Sequence, residues 1–396
     1  MNDRVRSYAR PEPAAKAAPH SLHLADPGPL ATKESFLARA RRTVTPPSLQ
    51  DSAPLGTKVR LTDPRLAYHG ALLPLETDDF TRGVRLARTM LVKNLYDSPG
   101  RSPNFAVDGP RLAGKSLLAA RIGFAFQGLI DHHFPADADR HPVVYIHVPH
   151  DRSDALHWSL PFAEYFGLEH SRSPETMNHR SVDMTGPITR VMERAGTRLV
   201  IVDGIEYVRD NERQTAFDYL FQLQDALPRI TFLFCGIGAQ EILHHALGDH
   251  RSKAPAAGVD TLEPQGIPTL WVRPVPYTAA EPDQWCNVLD DAEKSLRLYK
   301  HQPGTPVQLA AYLHARTDGS MHALNQLCQA AQTSILQQTE AIDRELLETI
   351  LTGYSDPTYN CLPALAEPAT GDQDHHGSPD QAKPMEPDSH TEEPGL

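Results

Sequence analysis

The sequence has little from which to build a covalent or metal framework. Its four cysteines, Cys235, Cys286, Cys328 and Cys361, lie far apart and form no C-x-x-C pair. Neither a zinc ribbon nor a disulfide scaffold is therefore expected, and the first three read as small buried apolar residues. No run approaches the roughly 20 consecutive apolar residues of a membrane helix, so no membrane partner is expected. The opening MNDRVRSYARPEPAAK lacks the apolar segment of a secretory signal, which makes a cytoplasmic location the expectation. Histidine is plentiful, but it shows no H-E-x-x-H or Cys/His ligand spacing. The local group His141, His147 and His150 on a predicted strand and the turn after it reads as structural.

Charge of one sign is concentrated rather than general. From Thr352 onward there are nine acids and one lysine, whereas the first 50 residues hold eight Lys/Arg and four Asp/Glu. The remainder is close to neutral, so net charge excludes no partner class and by itself indicates none. Proline is also gathered at the ends, with seven in residues 1–50 and seven more from 352 to 396. Such polar, proline-rich ends have too little to bury to offset their ordering entropy, and both are expected to be disordered. Between them, 40% hydrophobic and 22% charged residues overall is the composition of a soluble globular chain with a sizeable core.

Short helices are predicted within Lys33–Thr43 and Asp79–Tyr96, the second from the spacing of Val84, Leu86, Met90, Leu91 and Leu95. From Asn104 the pattern changes to strand-length apolar runs: NFAVDG, VVYIHVP (Val143–Pro149), RLVIVDG (Arg198–Gly204), ITFLFCG (Ile230–Gly236) and TLWVRPV (Thr269–Val275). They are apolar at nearly every position, as strands covered on both faces are. Helical stripes lie between them, Leu118, Ile122, Ala125 and Leu129 in one and Phe217, Leu220, Leu223 and Leu227 in another. Alternation of this kind predicts an α/β fold with a parallel sheet flanked by helices. After Tyr277 the strands stop. Helices are predicted near Pro282–Leu298, Pro306–Arg316, Ser320–Gln338 and Asp343–Thr352, the third with Leu324, Leu327, Cys328, Ala331 and Ile335 on one face.

One motif carries specific chemistry. Gly109, Pro110, Arg111, Leu112, Ala113, Gly114, Lys115 and Ser116 complete a G-x-x-x-x-G-K-[ST] loop between a predicted strand and a predicted helix. In such a loop glycine lets backbone N–H groups converge on phosphates. Lys115 then sets a cation against the β/γ-phosphates, and Ser116 Oγ is a magnesium ligand. The expected cofactors are ATP and Mg2+. Asp203 ends the apolar run Leu199–Val202, where a carboxylate is costly unless it does something, and it is the candidate for holding the metal with Ser116. The position after it, where a hydrolytic carboxylate is usual, is Gly204. Glu206 is the nearest acid and the candidate catalytic group. Arg251 is the candidate finger reaching a neighbouring subunit's nucleotide. Each of the last two has a plainer alternative as a solvated loop residue.

With these elements in view, the chain resembles the TniB family of AAA+ ATPases that regulate transposition, related to TnsC-type regulators and to origin-recognition-type ATPases. The resemblance runs from Ala31 to Thr352, through LATKESFLARA, RLAYHGALLPLETDDF (Arg65–Phe80), VVYIHVP, FCGIGAQEIL (Phe234–Leu243) and DGSMHALNQLCQAA (Asp318–Ala331). It implies a P-loop NTPase (AAA+) sheet followed by a small C-terminal helical lid. The division expected is a disordered arm over 1–30, a helical extension over 31–100, the AAA+ α/β domain over 101–277, the lid over 278–353 and an acidic tail over 354–396. It further implies a homo-oligomer that assembles on double-stranded DNA with ATP between subunits and recruits or activates a transposase. The chain departs from the family where the usual Asp-Glu is Asp203-Gly204, where a polar sensor falls near Ile237, and where a sensor arginine in the lid falls near His322. All three concern hydrolysis or its sensing, so an ATPase activity, if present, is expected to be weak. The alternative is a hydrolysis-impaired, nucleotide-gated scaffold in another DNA-associated or stress-related role. The cluster Arg39, Arg41 and Arg42 is the candidate DNA contact, with a solvated helix face as its alternative.

Overall fold

Among the described residues, five strands make one parallel sheet, and its order explains where a ligand can sit. The computed structural model describes residues 28–71, 77–97, 104–135, 140–149, 155–168, 184–253, 267–278 and 283–351. The strands are β1 (Phe105–Asp108), β2 (Val143–His147), β3 (Leu199–Asp203), β4 (Thr231–Cys235) and β5 (Thr269–Trp271), in the order β2-β3-β4-β1-β5. Every residue of β1, β3 and β4 is buried, which is why their sequences show no alternation. His147, Asp203 and Cys235 stand in register across three adjacent strands, so their side chains share one carboxyl edge. The fifth strand is shorter than predicted. Pro274 and Pro276 cannot donate to a ladder, and the Val275 N–H goes to Gly319 O (2.9 Å) instead.

The helices are α1 (Lys33–Ala40), α2 (Pro64–Gly70), α3 (Asp78–Tyr96), α4 (Lys115–His133), α5 (Ala155–Tyr165), α6 (Thr185–Ala195), α7 (Asp210–Ala226), α8 (Ala239–Lys253), α9 (Asp283–Lys294), α10 (Thr305–Gln308), α11 (Ala310–Thr317), α12 (Met321–Gln337) and α13 (Arg344–Leu351). Thr32, Asp63 and Thr77 cap α1, α2 and α3 through their side-chain oxygens, satisfying N–H groups that the first turn leaves free. The expected faces shift in two places. On α4 the buried stripe is Leu118, Ile122, Phe126 and Ile130, while Ala125 is exposed. On α3 it is Phe80, Gly83, Ala87, Leu91 and Asn94, while Leu86 is 48% exposed. The α7 stripe is buried as expected, as are Leu324, Ala331 and Ile335 of α12. The side chains of Leu327 and Cys328 lie outside the described residues. So do all but the last three residues of the expected N-terminal arm, the whole acidic tail, His150 and Cys361. Cys235 is buried and Cys286 half-buried.

The segment before the P-loop does not form a layer of its own. Phe36 of α1 is fully buried against Gly123 and Phe124 of α4. α2, by contrast, docks on the C-terminal helices. Gln332 Nε2 donates to Leu66 O (2.6 Å), and the backbone N–H of Arg297 donates to His69 Nε2 (3.3 Å). Arg65 is wholly buried. Its guanidinium pairs with Asp63 (3.0 Å) and Glu340 (2.8 Å) and lies 5.0 Å over the Tyr299 ring. The Tyr299 hydroxyl reaches back to Leu49 O. Burial opposes the charge on Asp63, but hydrogen bonds from Arg65 outweigh it and hold the carboxyl below its usual value.

Two buried histidines carry a pH signature. Burial, then the charges of Arg297 and Arg65, bring His69 down to about 4; burial, then Lys33 and Arg41, bring His141 down to about 3. The Tyr165 hydroxyl donates to Val143 O (2.9 Å) and sits 2.7 Å from His141 Nε2. Its oxygen is thus the acceptor, and the proton of neutral His141 is on Nε2.

Two outcomes are expected. Arg65→Ala leaves two buried carboxylates unpaired and costs about 3–5 kcal/mol in urea unfolding, whereas Arg65→Met combined with Asp63→Asn and Glu340→Gln costs far less. Because both histidines titrate lower folded than unfolded, their stabilisation is complete above about pH 6.5. It falls away toward pH 4, by roughly 1.4 kcal/mol per unit for each. Unfolding free energy measured across that range should show the slope, and His141→Gln should reduce it.

Candidate nucleotide-binding site

The site begins where β1 ends. In open parallel sheets, ligands bind outside the carboxyl ends of the strands, at the point where the strand order changes direction. Here that point is β1, between β4 and β5. Gly109 turns the chain out of β1 so close to β5 that an added Cβ would lie 2.2 Å from Val272 O. Gly114 has φ +101, and its Cβ would meet Phe80 of α3 and Met321 of α12 at 3.2 and 3.3 Å. Leu112 also adopts a left-handed conformation, φ +62, at a cost of about 1–2 kcal/mol for a non-glycine residue. Its carbonyl accepts a hydrogen bond from Ser320 Oγ (2.9 Å), which helps hold the loop in this shape. α4 starts at Lys115 with no side-chain cap, so its first-turn N–H groups face the loop ready for an anion.

The two halves of the site meet through hydrogen bonds. Ser116 Oγ donates to Asp203 Oδ1 (2.9 Å), and the Tyr145 hydroxyl donates to Asp203 Oδ2 (2.7 Å). His147 Nδ1 lies 3.7 Å from the same oxygen. Burial, and then the charge of Asp203, push the Tyr145 hydroxyl and the Cys235 thiol well above their usual values. Both stay protonated at neutral pH, so neither competes with Asp203 for charge. Lys115 is nearly buried, and its Nζ donates to Pro110 O (2.7 Å). The ammonium is thereby held over the loop, on an acceptor that a phosphate oxygen can replace. The oxygens of Ser116 and Asp203 form a hard-ligand pair of the kind Mg2+ takes.

The remaining candidates fall as follows. Gly204 is left-handed, φ +86, so a glutamate there would have to adopt a disfavoured backbone. Glu206 lies on the single 3-10 turn Ile205–Tyr207 that follows β3. Its Oε2 is buried without a hydrogen-bond partner and stands 2.1 Å from where a Cβ on Gly236, at the end of β4, would be. Ile237 follows Gly236 and is 42% exposed. Arg251 is on α8 and His322 on the first turn of α12, beside Met321; their side chains lie outside the described residues. The Arg39–Arg42 cluster is largely engaged, with Arg39 Nη2 donating to Gly28 O (2.7 Å) and Arg41 pairing with Asp131 (3.3 Å).

Three contributors escaped the sequence reading: Tyr145, Ser320 and Asp108. The Asp108 carboxylate is 3% exposed and accepts from the N–H groups of Gly109 (2.6 Å), Gly238 (3.0 Å) and Gln240 (3.0 Å). It ties the start of the P-loop to the start of α8. The signal that singled out Asp203, an acid ending a buried apolar run, applies equally to Asp108.

No family model matches the chain, and no curated protein matches it. Solved structures do. The ORC2 protein of Aeropyrum pernix, in ADPNP-ADP complexes, is 13% identical with a TM-score of 0.47, the match covering 78% of this chain and 71% of that one. Cdc6p of Pyrobaculum aerophilum is 14% identical with a TM-score of 0.47, covering 73% and 72%. Drosophila ORC bound to DNA is 10% identical with a TM-score of 0.43, covering 80% and 71%. The fold is that of a P-loop NTPase of the AAA+ type. That assignment rests on the chain's own strand order, its loop after β1 and the helices after β5.

Glycine substitutions separate loop geometry from general tolerance. Gly109→Ala must displace the backbone at Val272, just after β5, and should destabilise the protein by about 2 kcal/mol or more. Gly128→Ala, on the exposed side of α4 with nothing near its Cβ position, should stabilise it by roughly 0.5–1 kcal/mol. Chemical denaturation of the two variants beside the parent checks both signs.

Proposed function

We propose that the chain binds ATP with Mg2+ and acts as an AAA+ regulator of the TniB type, assembling on DNA in a nucleotide-dependent way to recruit or activate a transposase. The observation that carries the nucleotide part is the hydrogen bond between Ser116 and Asp203. It brings the end of the phosphate loop and the acid of β3 to one point, with Lys115 held alongside. In this reading the loop N–H groups from Gly109 to Ser116 and the Lys115 ammonium bind the phosphates, and Ser116 and Asp203 hold the cation. The cation, when bound, neutralises charge developing on the phosphates. The domain division given above, with a lid beginning near 278, belongs to this reading, as do a homo-oligomer, Arg251 in trans and His322 facing the nucleotide. Among the described residues no helix is long and apolar enough to cross a membrane.

Glu206 is the group we assign to hydrolysis. In this reading its unpartnered Oε2 beside the end of β4 accepts a water's hydrogen bond once the side chain moves off Gly236, a role that Gly204, with no side chain, does not fill. A second reading is favoured by the same turn. If Glu206 stays packed against Gly236, the protein is a nucleotide-gated scaffold with little turnover.

Steady-state hydrolysis with and without duplex DNA distinguishes the two, beside Lys115→Ala and Glu206→Gln. The regulator reading expects DNA-stimulated turnover lost in both variants, with nucleotide affinity lost only in Lys115→Ala. Tight binding without turnover in the parent favours the scaffold. Absence of nucleotide binding by the parent would overturn the assignment altogether.

A further inference from the structure

The outer face of α3 stands out in charge. Its inner face is committed to the core through Phe80, Ala87 and Leu91. Between Phe80 and Tyr96 the helix carries Arg82, Arg85, Arg88 and Lys93 and no carboxylate, in a chain whose net charge is −12. All four cations are exposed. Residues three and four apart on a helix are neighbours, so Arg82, Arg85 and Lys93 follow one side and Arg88 flanks it. Arg85 and Arg88 make no ion pair or side-chain hydrogen bond among the described residues. The pairs at the two ends, Arg82 with Asp79 (3.3 Å) and Lys93 with Asp97 (3.7 Å), are exposed and of the kind worth little. Asp79 also accepts from the backbone N–H of Arg273 (3.3 Å), which brings a fifth exposed cation to the start of the helix.

A row of guanidinium and ammonium groups without acids between them fits a regularly spaced polyanion. A membrane surface would call for an apolar stripe, and the outer face offers only Leu86 and Tyr96. We propose that this face, rather than the Arg39–Arg42 cluster of α1, docks the phosphate backbone of duplex DNA. This rests on the DNA-binding part of the function proposed above and assigns its location. The location also supplies a coupling route. Phe80, on the first turn of α3, packs at the position where Gly114 would carry a Cβ. A duplex seated on α3 therefore bears on an element that touches the phosphate loop directly.

The test is fluorescence anisotropy of a labelled mixed-sequence duplex with the full chain and a non-hydrolysable ATP analogue, repeated over a range of salt. The parent is compared with Arg85→Ala/Arg88→Ala and with Arg42→Ala. Arg85 and Arg88 are exposed and make no ion pair among the described residues, so the double variant should fold normally and bind the analogue as the parent does. We expect it to lose at least tenfold in duplex affinity. The slope of log affinity against log salt should become shallower by about 0.9 for each phosphate contact removed. Arg42→Ala should change neither. Equal affinity and slope in the parent and the double variant would overturn the location while leaving DNA binding standing. A parent that binds no duplex, or only single strands, would overturn the DNA-binding reading and this one with it.

Discussion

A carboxylate that ends a fully buried strand must be hydrogen-bonded, and this requirement organises the molecule around Asp203. Its two oxygens are taken by Ser116 from the P-loop helix and Tyr145 from the neighbouring strand. Both partners belong to elements whose positions are set by the sheet. The acid, the loop and β2 are therefore brought into register by one group. Asp108 repeats the arrangement one strand away from β4, with three backbone N–H groups converging on its carboxylate. The phosphate loop is thus held at its start by one buried acid and at its end by another. Its middle is held by Ser320, from the residue just before α12.

That third attachment makes the loop a meeting point for the whole chain. α3 reaches it through Phe80, and α12 through Met321 and Ser320. The earlier segment closes the circuit. α1 packs on α4, while α2 packs on α12 and is joined to the segment before α13 through Arg65, Asp63 and Glu340. A buried ionic cluster of this kind is weak evidence for stability, because desolvation opposes the Coulomb gain. Its effect is positional: it sets where the N-terminal segment meets the C-terminal helices. The same segment thus touches both the helix that follows the phosphate loop and the C-terminal helices.

The turn after β3 decides what chemistry the site can perform. A left-handed residue at 204 sends the chain directly into a 3-10 turn, which brings Glu206 back against Gly236. The acid is displaced by two positions along the same turn and lies against the end of the neighbouring strand, β4. A site built in this way retains the phosphate and cation ligands. Under the proposed function, the water-activating group is then a residue whose position depends on packing rather than on strand register.

Much of this was legible in sequence because it is local. The buried runs of β1 to β4, the P-loop, Asp203 and the helices after Tyr277 follow from periodicity, glycine placement and the cost of burying a charge, which act over a few residues. Asp108 was within reach of the same argument. Other features have no local signature. The inward face of α4 turns on Phe126 rather than Ala125, and a distant helix packs on the same helix through Phe36, against Gly123 and Phe124. The partners of Arg65 include an acid 275 positions away. The engagement of Arg39 and Arg41, and the lack of acid partners for Arg85 and Arg88 among the described residues, depend on which surfaces the fold brings together. Sequence alone determined the class of fold and the phosphate loop, since backbone conformation and strand burial are set by neighbouring residues. Only the tertiary structure decided which charges are neutralised, where Glu206 packs, and what holds the loop, because those depend on distances between residues far apart in the chain.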